Sequence, residues 1–169
     1  MANFDVKVVT DNVSKQLEAI EFIKENSVYI GIQQKDTTRE NDDVTNAELL
    51  FIHTNGSPQR NIPPRPVIEP ALKDDSKRLS DMMKKAAEYV FDGRFSEALR
   101  QLELVGHRGQ KDARDWFYNP KNHWPPNAPS VIREKLRKGA TEPHPLIDTN
   151  EMHKAITYFV KIKGGRKNK

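Results

Sequence analysis

Apolar positions recur along this 169-residue chain with two different periods, and each period predicts a different element. Phe4, Val6 and Val8 alternate with polar residues as a strand would, and Val13, Leu17, Ile20 and Ile23 then recur at helical spacing behind the capping candidates Thr10 and Asp11. "SVYIGIQ" returns to period two, with Val28, Ile30 and Ile32 on one face and Gly31 marking a bulge or a close backbone approach. Residues 34–44, "QKDTTRENDDV", hold one apolar residue and no periodicity, so a mobile exposed loop is expected there.

"TNAELLFIH" carries Thr45 and Glu48 at capping-box spacing, which predicts a short helix that Asn55 and Gly56 stop. Ile68, Leu72, Leu79, Met82 or Met83, Ala86 and Val90 form the inner stripe of one long helix that ends at Asp92-Gly93. A second helix starts near Ser96, with Leu99, Leu102, Gly106, Gly109, Ala113 and Trp116 inward. Glycine costs about 1 kcal/mol per helical site relative to alanine, so Gly106 and Gly109 imply either tight packing against the preceding helix or a break, and packing is favoured. "SVIREKLRKG" reads as a helix capped by Ser130 and stopped at Gly139. A cap at Asp148 or Thr149, a brief helix and a strand with Ile156, Tyr158, Val160 and Ile162 on one face complete the chain. The expected architecture is α+β, a small mixed or antiparallel sheet closed by the C-terminal strand and packed with a long helical hairpin and short helices.

Composition adds three constraints. There is no cysteine, which removes disulfides, thiolate metal sites and cysteine nucleophiles and agrees with a reducing compartment. The start "MANFDVKVVTDN" lacks the pattern of an export signal, and no run approaches the ~18 apolar residues of a membrane helix, so a soluble chain without membrane association is expected. Net charge is +4, yet the last nine residues hold five cations and no acid; the remaining 23 cations face 24 acids, leaving −1 on residues 1–160. The expected organisation is one domain over residues 1–162 and a basic flexible tail over residues 163–169.

Chemistry-bearing patterns are sparse. The five histidines, at positions 53, 107, 123, 144 and 153, lack the close spacings that bring two rings to one ion from a single element. No G-x-S-x-G elbow, P-loop or dinucleotide fingerprint occurs, so no cofactor, no metal and no enzymatic activity are expected. A metal-dependent nuclease built on His123 and nearby acids is the weakest reading.

The segment that stands out is "NGSPQRNIPPRP". Proline fixes φ near −65° and holds its predecessor extended, so "IPPRP" is either a stiff docking arm that presents Arg65 to a partner or a rigid linker that positions the long helix. The order "VYIGI", "TNAELLFIHTNGSPQRNIPPRPVIEPAL", a helical pair and "APSVIREKLRKGATEPHPLIDTNEMHKAITYFV" resembles the virion-morphogenesis family of tailed-bacteriophage neck and tail-completion proteins, over residues 28–160. Asn150 stands where that family usually has glycine, Pro64 where alanine is common, and Val67 where a larger apolar residue is common.

The resemblance implies a structural virion protein without enzymatic activity, a ring-forming and by expectation hexameric subunit at the head-tail junction. Its partners would be copies of itself, the head connector and the tail tube or sheath proteins, assembled in the host cytoplasm. Contacts would come from Asn55, Gly56, Ser57, Ile62, Pro63, Pro64, Arg65, Pro66, Leu146, Ile147, Asp148 and Thr149. Lys163, Arg166, Lys167 and Lys169 could face genomic DNA without sequence preference. The alternative is a DNA-binding accessory factor that uses this basic tail, with "SVIREKLRKG" as its recognition helix.

Overall fold

The Thr45 hydroxyl accepts from the Glu48 backbone N–H at 3.2 Å while the Glu48 carboxylate accepts from the Thr45 N–H at 2.9 Å, so the expected capping box starts a helix. That helix ends at Gly56, whose φ of 74° requires glycine where a Cβ would also meet the Ile62 carbonyl oxygen at 2.9 Å. These features belong to a computed structural model that describes residues 12–33, 44–162 and the backbone of 165–167. The strand expected at Phe4, Val6 and Val8 lies outside the described residues, as do Thr10, Asp11, the loop up to residue 43, Lys163, Lys169 and the side chains of Arg166 and Lys167.

In chain order the elements are α1 (Val13–Glu25), β1 (Ser27–Ile32), α2 (Asn46–Asn55), α3 (Ile68–Asp74), α4 (Ser76–Phe91), α5 (Phe95–Asp115), α6 (Pro129–Arg137), α7 (Glu151–Ala155), β2 (Ile156–Ile162) and β3 (Gly165–Lys167). The fold is α+β, as expected, and its sheet is antiparallel in the order β1-β2-β3. Tyr29 pairs with Phe159 and Ile30 with Tyr158. β2 buries Ile156, Tyr158 and Val160, the face that alternation predicts. Within the stretch expected to be a flexible basic tail, the backbone of β3 pairs with Val160, Lys161 and Ile162.

Helices α4 and α5 form the expected hairpin, turned at Gly93 with φ 73°, and α5 lies across β1 and β2. Gly106 and Gly109 are buried inside an unbroken α5, so tight packing is correct, but the partner is chiefly the sheet. A Cβ at Gly106 would fall 2.1 Å from the Tyr158 ring, and one at Gly109 would fall 2.2 Å from Ile30. The single long helix expected from Ile68 to Val90 is instead α3 and α4, divided at Asp75 (φ −101°, ψ 18°). The Asp75 carboxylate accepts from Arg108 on α5 at 2.7 Å, and Arg108 also holds Asp112 at 3.1 Å. That tertiary ion pair holds Asp75 at the break.

α1 carries a second correction. Its expected inner residues Val13, Leu17, Ile20 and Ile23 are 45 to 66% exposed, while Ala19 is buried against Val90 and Ala98. Phe22 stacks on Phe95 at 5.1 Å. A small residue beside an aromatic one lets α1 approach the hairpin more closely than the aliphatic stripe would. The larger core lies at the other end of α5, where Leu50, Val67, Ala71, Ala113, Trp116, Phe117, Met152 and Ile156 gather.

Candidate functional site

Gly56 reverses the chain out of α2, and Ser57 and Ile62 exchange backbone hydrogen bonds at 2.8 and 3.0 Å around a 3₁₀ turn at Pro58–Arg60. The chain then runs extended through Pro63, Pro64, Arg65 and Pro66 into Val67, which is fully buried. The Arg65 backbone N–H donates to the His53 carbonyl. Its guanidinium donates from Nε to the Pro125 carbonyl at 3.1 Å, and from Nη2 to the Pro125 and Pro126 carbonyls at 2.9 and 3.0 Å. Trp124 Nε1 donates to the Pro66 carbonyl at 3.1 Å.

These contacts overturn the expectation that Arg65 is presented to a partner. Arg65 is only 6% exposed, and burial lowers its pKa from the ordinary arginine value. The segment is a wall clasped by a second proline-rich stretch 60 residues later, not an arm standing in solvent.

The other wall comes from α6 and the turn before α7. Helix α6 begins with Pro129 at its first position and Ala128 as its cap, so the expected Ser130 cap is displaced by two residues. It stops where expected, at Gly139 with φ 91°. On its inner face Lys135 is 9% exposed and donates to the carbonyls of His144, at 2.8 Å, and Ile147. Burial lowers the Lys135 pKa; Asp148 opposes that shift, and Arg65 and Lys138 add to it. α7 has Asn150 as its cap, at φ 63°, in place of the expected Asp148 or Thr149. The Thr149 hydroxyl reaches the Glu151 N–H only at 3.5 Å. Leu146 also sits at positive φ, 61°, where a bulky residue is strained.

Between the walls opens a cavity of about 690 Å³. Six of the twelve expected contact residues line it: Ile62, Pro63 and Arg65 from the first segment, and Leu146, Asp148 and Thr149 from the second. Asn55, Gly56, Ser57, Pro64, Pro66 and Ile147 do not line it, although Gly56 shapes its edge and the Ile147 carbonyl holds Lys135. Asn55 instead caps its own helix by donating to the Phe51 carbonyl at 2.9 Å. Sequence reasoning missed Arg60, Val131 and Lys135. Val131 and Lys135 stand four apart on one helical face, a spacing that could have flagged an inward lysine.

Arg60, Arg65 and Lys135 all line this cavity, and none of the three makes an ion pair among the described residues. Asp148, at the rim, lies 3.8 Å from Lys138. The walls between these charges are apolar, from Leu49, Ile62, Pro63, Val131, Leu146 and Met152. Asp148 and Glu151 also line the cavity, so the arrangement suits an apolar segment with charges of both signs at its edges. His123 is exposed at φ 47°, and no group of three or more metal-ligating side chains gathers among the described residues. None of the described helices is long and apolar enough to cross a membrane.

Compared with protein-family models, with curated proteins and with solved structures, the chain matches none.

Proposed function

We propose that the chain is a structural subunit of a tailed-bacteriophage virion, forming a ring at the head-tail junction that completes or terminates the tail and joins it to the head connector. The reading begins with the family resemblance of residues 28–160. One observation carries it further: the two segments densest in that resemblance, around Pro63 and around Asp148, meet across a single open cavity although they stand far apart in the chain. A paired, preformed recess with apolar walls suits a contact between proteins. Under this reading the chain acts through binding alone, its partners being further copies, the connector and the tail tube or sheath, and it resides in the assembled particle.

Immunogold electron microscopy of purified virions, with antibody raised against the chain, tests the proposal. Label confined to the junction of head and tail is expected, together with separate heads and tails when the chain is withheld. Particles that contain none of the chain, and are complete without it, would overturn it.

A further inference from the structure

Two surfaces at opposite ends of α5 remain unmatched among the described residues. The first is the outward face of α1, where Leu17, Ile20 and Ile23 are 57, 55 and 45% exposed. These three fall on one side of the helix at spacings of three, with the exposed Glu21 beside Leu17 on the helical surface. The second is the cavity, with its largely apolar walls and the cations Arg60, Arg65 and Lys135, none of which makes an ion pair among the described residues, although Arg65 and Lys135 donate to backbone carbonyls.

The two cannot meet in one chain. α1 packs beside Ala98 near the start of α5, whereas the core behind the cavity includes Ala113 near its end, about 22 Å further along at 1.5 Å per residue. We propose that the α1 face of one copy seats in the cavity of the next copy, apolar stripe against apolar wall. Glu21 then approaches Arg60 and Lys135, and Lys24, which also lies on this face of α1, meets Asp148 at the rim. The contact joins different faces of identical subunits, so it is head-to-tail, and such contacts close into rings or run on as filaments. It follows the mode in which an amphipathic helix lies in a groove, read through anchors three and four residues apart. The inference rests on the ring-subunit reading and adds which surfaces meet.

The test uses the full chain, with sedimentation velocity and native mass spectrometry. Leu17→Glu disables only the α1 face, and Arg60→Glu with Val131→Arg disables only the cavity; all three positions are exposed, so folding should persist and circular dichroism verifies it. The unaltered chain is expected to associate, and each variant alone to remain monomeric. An equimolar mixture of the two should form dimers with one copy of each and nothing larger, because one intact pair of faces remains. Because the chain has no cysteine, Leu17→Cys combined with Val131→Cys should give an oxidised ladder of dimers, trimers and beyond, while Leu17→Cys alone should give none. Association that ignores both variants would overturn the docking and leave the ring reading standing. A purely monomeric native chain, or efficient cross-linking through Leu17→Cys alone, would overturn it as well, the latter by revealing a two-fold contact. A virion that lacks the chain would instead remove the ring reading, whatever the mixture shows.

Discussion

Replacing Arg65 with alanine should destabilise the isolated subunit, a consequence that follows from where its guanidinium points. Three N–H···O contacts of 2.9 to 3.1 Å join it to the Pro125 and Pro126 carbonyls. Hydrogen bonds from a charged donor contribute about 1.5–3 kcal/mol each, so two satisfied carbonyls set a gross loss of about 3–6 kcal/mol. Two effects reduce it. Water can reach the carbonyls of the exposed Pro125 and Pro126 once the side chain is gone, and removal of the guanidinium relieves the cost of burying its charge. A net loss of about 2–4 kcal/mol remains, which corresponds to a fall of about 5–15 °C in melting temperature for a chain of this size. Urea denaturation followed by tryptophan fluorescence measures it directly, since Trp124 sits in the same clasp through its bond to the Pro66 carbonyl. Arg65→Lys should recover part of the loss, because the ammonium keeps the charge but lacks the planar fork by which Nε and Nη2 reach the Pro125 and Pro126 carbonyls together. A change below about 0.5 kcal/mol for Arg65→Ala, with assembly alone impaired, would refute the reasoning and return Arg65 to the role of an exposed contact.

Three further outcomes are expected. Gly106→Ala should lower stability by about 1–3 kcal/mol in urea titrations despite its better helix propensity, because the new methyl would sit 2.1 Å from the Tyr158 ring. The Tyr158 phenol, pushed up to about 12 by burial and then by its 3.0 Å bond to Glu103, should stay protonated at about pH 11 in an absorbance titration of the four tyrosines. Its folded value lies above the unfolded ~10, so its stabilisation is complete below pH 10 and is lost as pH rises toward 12. Burial lowers the His153 pKa against the opposing bond to the Arg114 carbonyl, so its stabilisation holds above the unfolded ~6.5 and is lost as pH falls through the folded value. His153→Gln should therefore flatten the acid side of the stability profile below the unfolded ~6.5, and an unchanged profile would count against a half-buried neutral ring.

Features set by neighbours in sequence could be read in advance. The Thr45 and Glu48 cap, the stops at Gly56, Gly93 and Gly139, and the buried alternation of β2 all depend on residues within a few positions. Features set across the fold could not. The helix divides at Asp75, whose carboxylate is held by Arg108 from 33 residues away, and Lys135 turns inward where carbonyls of a later turn receive it. The α1 stripe misled for a related reason: periodicity identifies an apolar face, but the hairpin offered its better fit to Ala19 and Phe22. The candidate site divides in the same way. Its two backbone segments were legible from proline and turn chemistry, whereas the charges that line the cavity depend on which way long side chains fold.

The same physics explains why an arginine stands fenced between prolines. Proline has a carbonyl but no N–H, so two proline-rich strands laid side by side present acceptors to each other and cannot zip together as a ladder. The segment holding Pro63, Pro64 and Pro66 is joined to the one holding Pro125 and Pro126 under this restriction. Donors must come from elsewhere, and they come from the forked guanidinium of Arg65 and the indole of Trp124, which cross between the segments in opposite directions. Lysine offers a single nitrogen in place of the two, Nε and Nη2, that the guanidinium sets in one plane, and a neutral donor would bind the carbonyls less strongly. The result is a wall whose backbone is already restricted by its rings and fastened from both sides. A cavity built this way has little conformational freedom left to lose when an occupant arrives, so ordering subtracts little from the contacts the occupant makes.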